Sequence, residues 1–271
     1  NTSASASAYA ARAALKCIVL IPRGAVALGK LSQALIHGAV VLAVDGNFDD
    51  ALNLAREVTV NYPITLVNSL NPYRIEGQKT ASFDICDLFN DARHFQGMPV
   101  GNAGNITAYW KGYKEYKKLG KIKILPRMLG FQAQGAAPIV KGHPIKHPQT
   151  IATAIRIGNP ASWKQAEGAR DESGGIIHMV SDREIVSAYK LLAEKEGLFV
   201  EPASAASVAG LLKLVKEGYF KRAACSMRRA ARIVCILTGH GLKDPDMAIK
   251  TIRQPKVVKA NLKAVLKEIG Y

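Results

Sequence analysis

The sequence predicts an α/β fold built on parallel sheets, and three observations predict it. Continuous apolar runs of strand length recur along the 271-residue chain, at 17–21, 39–44 and 64–67 and again further on. Segments with apolar residues at helical spacing lie between them, as the crossovers between parallel strands require. A glycine-rich turn, Gly101-Asn102-Ala103-Gly104-Asn105, joins one such strand to a following helix. In open parallel sheets, ligands collect beyond strand ends of this kind.

The elements follow in order. Residues 1–14 read as a helix of small side chains opened by Asn1, Thr2 and Ser3, whose side-chain oxygens suit a helix start. Residues 17–21, closed by Pro22, read as a buried parallel strand. A helix over 25–37, a strand over 39–44, a helix over 49–62 and a strand over 64–67 continue the alternation. Beyond them come a helix over 75–88, a strand over 98–100 and the helix that Gly104 opens. Further strands are expected at 128–132, 176–180 and 233–237, separated by helices over 182–196 and 205–216, with Ser181 and Ser204 at cap positions.

Composition narrows the function classes. With 48% apolar residues the chain can bury a substantial core. No run approaches the ~18 to 20 uninterrupted apolar residues of a membrane helix, and the first residues show no basic-then-apolar signal pattern. Cys17, Cys86, Cys225 and Cys235 lack metal-ligand spacing and read as reduced, mostly buried thiols, so a cytoplasmic protein is expected. His37, His94, His143, His147 and His178 form no ligand pattern, and no metal is expected. The formal charge of +16 is spread over helix faces that include Lys111, Lys114, Lys117, Lys118, Lys121 and Lys123. Its densest cluster, at 221–232, has no interleaved aromatics to stack on bases, so no nucleic-acid partner is expected.

Two glycine-bearing turns compete as phosphate sites. Gly101 to Asn105 offers main-chain N–H groups and a helix dipole to an anion. Gly24-Ala25-Val26-Ala27-Leu28-Gly29-Lys30 has nucleotide-loop spacing, and Asp45 ends the next strand where a magnesium-binding aspartate would stand. Leu31 then occupies the place where magnesium chemistry needs a hydroxyl, which weighs against a nucleotide-binding protein.

Eight blocks carry a resemblance along nearly the whole chain. They are Asn1-Thr2-Ser3-Ala4-Ser5, His37-Gly38-Ala39, Asp45 to Asp50, Asn68-Ser69-Leu70-Asn71-Pro72-Tyr73-Arg74 continuing to Lys79, Gly101 to Asn105, Ala154 to Gly158, Glu201 to Ala206, and Leu237-Thr238-Gly239-His240-Gly241-Leu242-Lys243-Asp244. On these the chain resembles the threonine synthases, pyridoxal-phosphate enzymes of fold type II. The resemblance implies two domains, each with a mostly parallel sheet flanked by helices: 1–68 as the remainder of a smaller amino-terminal domain, and 69–271 as a larger cofactor-binding domain. It implies pyridoxal 5'-phosphate as cofactor, O-phospho-L-homoserine as substrate, and a lyase reaction giving L-threonine and phosphate in a cytoplasmic homodimer.

Residue roles follow from the same resemblance. Gly101, Asn102, Ala103, Gly104 and Asn105 would hold the cofactor phosphate, Asn1 would bond the ring hydroxyl oxygen, and Thr238 would face the pyridine nitrogen. A neutral hydroxyl at that nitrogen leaves it largely unprotonated, which favours chemistry at the β and γ carbons. Asn68, Ser69, Arg74 and Asn102 would take the substrate phosphate, with Thr2 and Ser3 near the substrate carboxylate. The family's cofactor-anchoring lysine precedes the Asn-Thr-Ser helix, so it is not expected within this sequence, and no catalytic residue is assigned. The expectation is then either a fragment of a longer protein or a chain that departs from its relatives' chemistry. Lys243 lies at the wrong end of the domain for that role. Threonine or serine dehydratases share the glycine cradle and are the alternative within the fold.

Overall fold

A computed structural model describes residues 2–23, 28–46, 48–69, 71–224, 231–251 and 256–270. Two parallel sheets organise it. The helix α1 (Thr2–Arg12) leads to β1 (Ile18–Pro22), α2 (Leu28–Ile36), β2 (Val40–Val44) and α3 (Phe48–Asn61). The strands β1 and β2 pair in parallel, Ile18 opposite Val40 through Pro22 opposite Val44. Then come α4 (Tyr73–Phe89), β3 (Phe95–Pro99), α5 (Gly104–Lys118), β4 (Arg127–Ala133), α6 (Pro138–Lys141), α7 (Trp163–Glu172) and β5 (Ile176–Val180). The chain continues through α8 (Asp182–Glu196), α9 (Pro202–Lys216), α10 (Tyr219–Ala224), β6 (Ile233–Cys235), α11 (Pro245–Thr251) and α12 (Leu262–Ile269).

The second sheet has the order β5-β4-β3-β6, with every pairing parallel. Its central strand β3 is buried at every residue, and β4 at all but its first. Helices on both faces fill the core. Met98, Ile106, Trp110, Tyr113 and Met128 cluster on one side, and Phe131 and Phe95 pack with Leu214 of α9 on another. The buried glutamines in this core are bonded through their oxygens, while Gln96 Nε2 and Gln132 Nε2 have no hydrogen-bond partner among the described residues. The Tyr113 hydroxyl donates to Gln96 Oε1 at 2.7 Å, and Gln132 Oε1 accepts from the Ile139 and Val140 amides at 3.0 and 3.2 Å.

The helices α4 and α5 are locked together. Lys79 of α4 bridges Glu76 at 2.8 Å and Glu115 of α5 at 2.7 Å, and Lys111 of α5 pairs with Glu76. Several lysines read as solvated helix faces are thus cross-links between helices, as is Lys114, 2.6 Å from Glu172 of α7. Gly112 lets the two backbones meet, since a Cβ there would overlap the Ser82 hydroxyl and the Lys79 carbonyl.

Three expectations are corrected, and helices unread in the sequence appear beside them. No strand forms at 64–67; the segment runs extended over the surface, with Ile64 38% and Val67 50% exposed, so its β-branched residues find no ladder there. The strands β1 and β2 are not buried: only Val19 is, because the described residues cover little of this two-stranded sheet. A helix unread in the sequence, α7, follows Ser162. The helix α9 begins at Pro202 with Glu201 as its N-cap residue, so Ser204 lies inside the first turn and caps nothing. The Ser181 expectation holds, with a full capping box to Glu184. The residues 24–27 of the nucleotide-loop reading and 225–230 of the basic cluster, with Cys225, lie outside the described residues. No described helix is long and apolar enough to cross a membrane, and no described group of His, Cys, Asp or Glu is arranged to hold a metal.

Cys17, Cys86 and Cys235 are free thiols. Cys17 lies partly open just before β1, short of the burial expected for it. Burial, helped by Asp87 and Asp91, pushes the Cys86 thiol up to about 11, and burial pushes Cys235 up to about 12. At neutral pH both stay protonated and unreactive, since only the thiolate is nucleophilic. Alkylation of native protein near pH 7.5 (about one unit below the ordinary thiol value), followed by peptide mass spectrometry, is expected to spare Cys86 and Cys235 and to modify both after denaturation. Gly112→Ala is expected to lower unfolding stability by about 1–3 kcal/mol through overpacking of α4 against α5, read as a fall in the urea midpoint.

Candidate functional site

The strand order reverses between β3 and β6, which places a crevice beyond their carboxyl ends. A cavity of about 630 Å³ fills it. That volume suits a cofactor with a small substrate. The turn after β3 forms one wall, the turn after β6 another, and the starts of α1, α4 and α9 close the rest.

The 101–105 turn is shaped by its neighbours. The Val100 amide donates to Phe131 O at 2.8 Å, ending the ladder, and Gly101 then passes so close to the backbone at 154–155 that a Cβ would sit 2.9 Å from Ile155 Cα. Ala103 takes a left-handed conformation, φ 66°, as the N-cap residue of α5, and no side chain caps that helix. A non-glycine residue in this region carries strain of about 1 kcal/mol, held here by burial of its methyl. Around Gly104 there is open space: a Cβ would find only Ile75 Cδ1, at 3.7 Å, and Ser162 Oγ, at 4.0 Å. The helix therefore presents its first amides and the positive end of its dipole to the cavity.

The two asparagines brace the turn. Asn105 donates from Nδ2 to Pro99 O at 2.7 Å and accepts from the Ile106 amide at 2.8 Å, so its side chain is spent internally and only its main chain faces a ligand. Asn102 accepts from the Ala161 amide at 2.6 Å through Oδ1, which leaves its Nδ2 donors on the cavity side of the amide.

Opposite this turn, Arg74 at the start of α4 lines the cavity and reaches Ser69 Oγ from Nη1 at 3.1 Å. No described carboxylate pairs with it, and burial holds its guanidinium below the usual arginine value. Arginine stays charged under all physiological conditions. A half-buried cation without an acidic partner is costly unless an anion joins it. Thr2 and Ser69 also line the cavity, whereas Ser3 and Asn68 stand behind the lining: the Ser3 carbonyl accepts from Ser7 Oγ at 2.8 Å, and the Asn68 carbonyl accepts from the Asn71 amide at 3.1 Å. Asn1 lies outside the described residues.

Thr238, three residues beyond β6, faces the cavity, and its hydroxyl is 2.9 Å from Ser204 Oγ. The Glu201 amide donates to Gly239 O at 2.8 Å, tying the turn to the start of α9, and the buried Glu201 carboxylate also reaches the lining. A smaller cavity of about 290 Å³ continues past Thr238 and Asn105 to Gln78 and Tyr109, whose hydroxyl is raised in pKa by burial and then by Asp84.

The lining includes residues that sequence reasoning left unassigned: Ser5, Tyr9, Gln78, Ser162, Glu201 and Lys243. Helical spacing from Thr2 would have found Ser5 and Tyr9, at i+3 and i+7. Lys243, set aside as a cofactor-anchoring lysine, stands on the cavity wall within the short 3-10 turn Gly241–Lys243. No sequence signal marks Ser162, which arrives with the unread helix α7.

The donor set suits pyridoxal 5'-phosphate. An uncapped helix start with open space at Gly104 fits a phosphate, and a neutral hydroxyl at the opposite strand end fits a pyridine nitrogen. Arg74 offers a second anion position on the same cavity.

Comparisons with known proteins agree. The family description "Pyridoxal-phosphate dependent enzyme" matches residues 1–239. A threonine synthase of Mycobacterium tuberculosis strain H37Rv is 56% identical over 271 residues, all of this chain and 73% of that protein. One of Synechocystis sp. PCC 6803 is 57% identical over 273 residues, all of this chain and 69% of that protein. Among solved structures, maize serine racemase superposes with a TM-score of 0.73 at 21% identity, covering 92% of this chain and 73% of that one; this likeness shows the fold. A match over residues 1–239, with relatives more than half identical along its whole length, means that the chain belongs to the pyridoxal-phosphate dependent enzymes.

Proposed function

We propose that the chain carries the cofactor and substrate site of a threonine synthase, a carbon–oxygen lyase that converts O-phospho-L-homoserine and water to L-threonine and phosphate. One observation carries the substrate reading: Arg74, half-buried and without a described acidic partner, shares its cavity with the uncapped start of α5. Two anions on one cavity need two cationic or dipolar ends, and a phosphorylated substrate beside a phosphorylated cofactor supplies both anions.

The roles follow from that arrangement. The amides of Gly101 to Asn105 hold the cofactor phosphate, and Thr238 bonds the ring nitrogen; Asn1 bonds the ring hydroxyl oxygen. Pyridoxal phosphate, when bound, supplies the electron sink for carbanions formed on the substrate. Arg74 grips two oxygens of the substrate phosphate, Ser69 orients the guanidinium through its hydroxyl, and the Asn102 amide donates from the other side. As the Cγ–O bond breaks, negative charge grows on the departing phosphate, and Arg74 holds it more strongly than it held the ester. Thr2 orients the substrate carboxylate, with Ser3 in the same helix turn behind it, and the Asn68 carbonyl fixes the loop that carries Ser69.

Residues 1–68 and 69–271 are proposed as two domains, each built on one of the parallel sheets. A cytoplasmic homodimer completes the proposal. The location is supported by free thiols with no described disulfide, the dimer by the family resemblance.

Protein expressed from its whole reading frame is expected to release phosphate and form threonine from O-phospho-L-homoserine. Deamination of serine or threonine without phosphate release would instead favour a dehydratase. Arg74→Gln is expected to raise KM for the phosphorylated substrate by about 10- to 100-fold, the loss of a charged hydrogen-bonding partner, with the visible spectrum of the bound cofactor unchanged. Arg74→Lys restores the charge without the fork and is expected to fall between the two. A KM unchanged in Arg74→Gln would remove Arg74 from the phosphate site.

A further inference from the structure

We propose that Ser204 is a positioning residue that turns the Thr238 hydroxyl into a hydrogen-bond donor aimed at the cofactor's ring nitrogen. This rests on the proposed placement of Thr238 at that nitrogen and extends it to a residue with no contact of its own to the ligand.

The reasoning is an accounting of protons. Ser204 is fully buried in the first turn of α9, and its own amide donates to Glu201 O at 2.9 Å, so its hydroxyl is not needed as a helix cap. That hydroxyl instead accepts from the Gly239 amide at 2.7 Å. An oxygen that accepts there has one proton left to donate, and two acceptors stand within reach: Thr238 Oγ1 at 2.9 Å and Gly239 O at 3.3 Å. The shorter contact is the stronger. Gly239 O also accepts from the Glu201 amide at 2.8 Å, and with two lone pairs it stays open to Ser204 at the longer distance. With an unprotonated ring nitrogen accepting the Thr238 O–H, the Ser204 proton goes to Thr238 Oγ1.

Thr238 has one proton as well. With its oxygen accepting from Ser204, its O–H points away from Ser204 and into the cavity that Thr238 lines. A pyridine nitrogen without a proton has a lone pair and nothing else to offer, so it requires a donor there. If Thr238 donated to Ser204 instead, it would face that lone pair with an oxygen lone pair, which is repulsive. The ring nitrogen's lone pair is what disfavours this reversal; the Ser204 oxygen has two lone pairs and accepts from the buried Gly239 amide in either arrangement. The chain of donors runs in one direction: Gly239 N–H to Ser204, Ser204 to Thr238, Thr238 to the ring.

The test uses the holoenzyme expressed from its whole reading frame and loaded with cofactor labelled with 15N in the ring. The nitrogen resonance distinguishes a pyridine that accepts a hydrogen bond from a bare one. Thr238→Val is expected to shift it toward the bare value. Ser204→Ala is expected to shift it in the same direction, and the double variant no further than Thr238→Val alone. The cofactor dissociation constant should rise about 3- to 10-fold in Ser204→Ala, as for one neutral hydrogen bond. A shift in Thr238→Val with none in Ser204→Ala would overturn the relay and leave the placement of Thr238 standing. No shift in either variant would overturn both. Should Ser204→Ala fail to fold, Ser204→Cys retains an acceptor for Gly239 with a weaker donor; an intermediate shift supports the relay, and the unaltered resonance overturns it.

Discussion

Strand β3 lies between β4 and β6, and the arrangement of the site depends on that double pairing. Gly97 stands opposite both Leu129 and Cys235, and the Cys235 sulfur lies 3.1 Å from where a Cβ of residue 97 would be. A side chain here would push β6 away from β3. With the strands in contact, the 101–105 turn and the 236–239 turn emerge side by side at one sheet edge. The α5 amides and the Thr238 hydroxyl then face the same volume, although 133 residues of sequence separate Asn105 from Thr238.

The polar groups around that volume are left incomplete among the described residues. Helix α8 has a reciprocal capping box, and Asn261 caps α12 with an acceptor for the Ala264 amide. Helix α5 has an alanine in left-handed conformation as its N-cap residue, and of its first amides only that of Ile106 meets a described side chain, Asn105 Oδ1. Lys79, Lys111 and Lys114 all have carboxylate partners, while Arg74 bonds only a neutral hydroxyl among the described residues. A helix start without an N-cap side chain and a half-buried cation without a described acidic partner thus share one cavity. A bound anion relieves both at once, so ligand binding is expected to add stability that the chain does not have by itself.

Much of this was legible in the sequence. The strands β4, β5 and β6 were legible from their largely apolar runs, of which β4 is buried on both faces, whereas the run at 98–100 marked only the end of β3, because Gln96 and Gly97 interrupt it. The 101–105 turn was legible because only small residues allow such close backbone approach. The segment at 64–67 misled because β-branched composition measures fitness for a pleated surface, and no neighbouring strand supplies one there. Ser204 misled for a related reason. A serine before an apolar helical run suits a cap, but Pro202 fixes the helix start two residues earlier. The residues Gln78 and Ser162 belong to the cavity through tertiary arrangement, which no local pattern encodes.

The close seam between α4 and α5 has a further consequence. Arg74 begins one of these helices and Gly104 the other, and the contact at Gly112 with the bridges from Lys79 and Lys111 keeps the two from sliding. The gap between the two proposed anion positions is thereby a fixed length, and it would work as a ruler for a molecule laid across it. An amino acid whose ester lies one methylene nearer its α-carbon would reach one end and fall short of the other. Selection by chain length would then reside in the rigidity of a helix pair, outside the pocket itself.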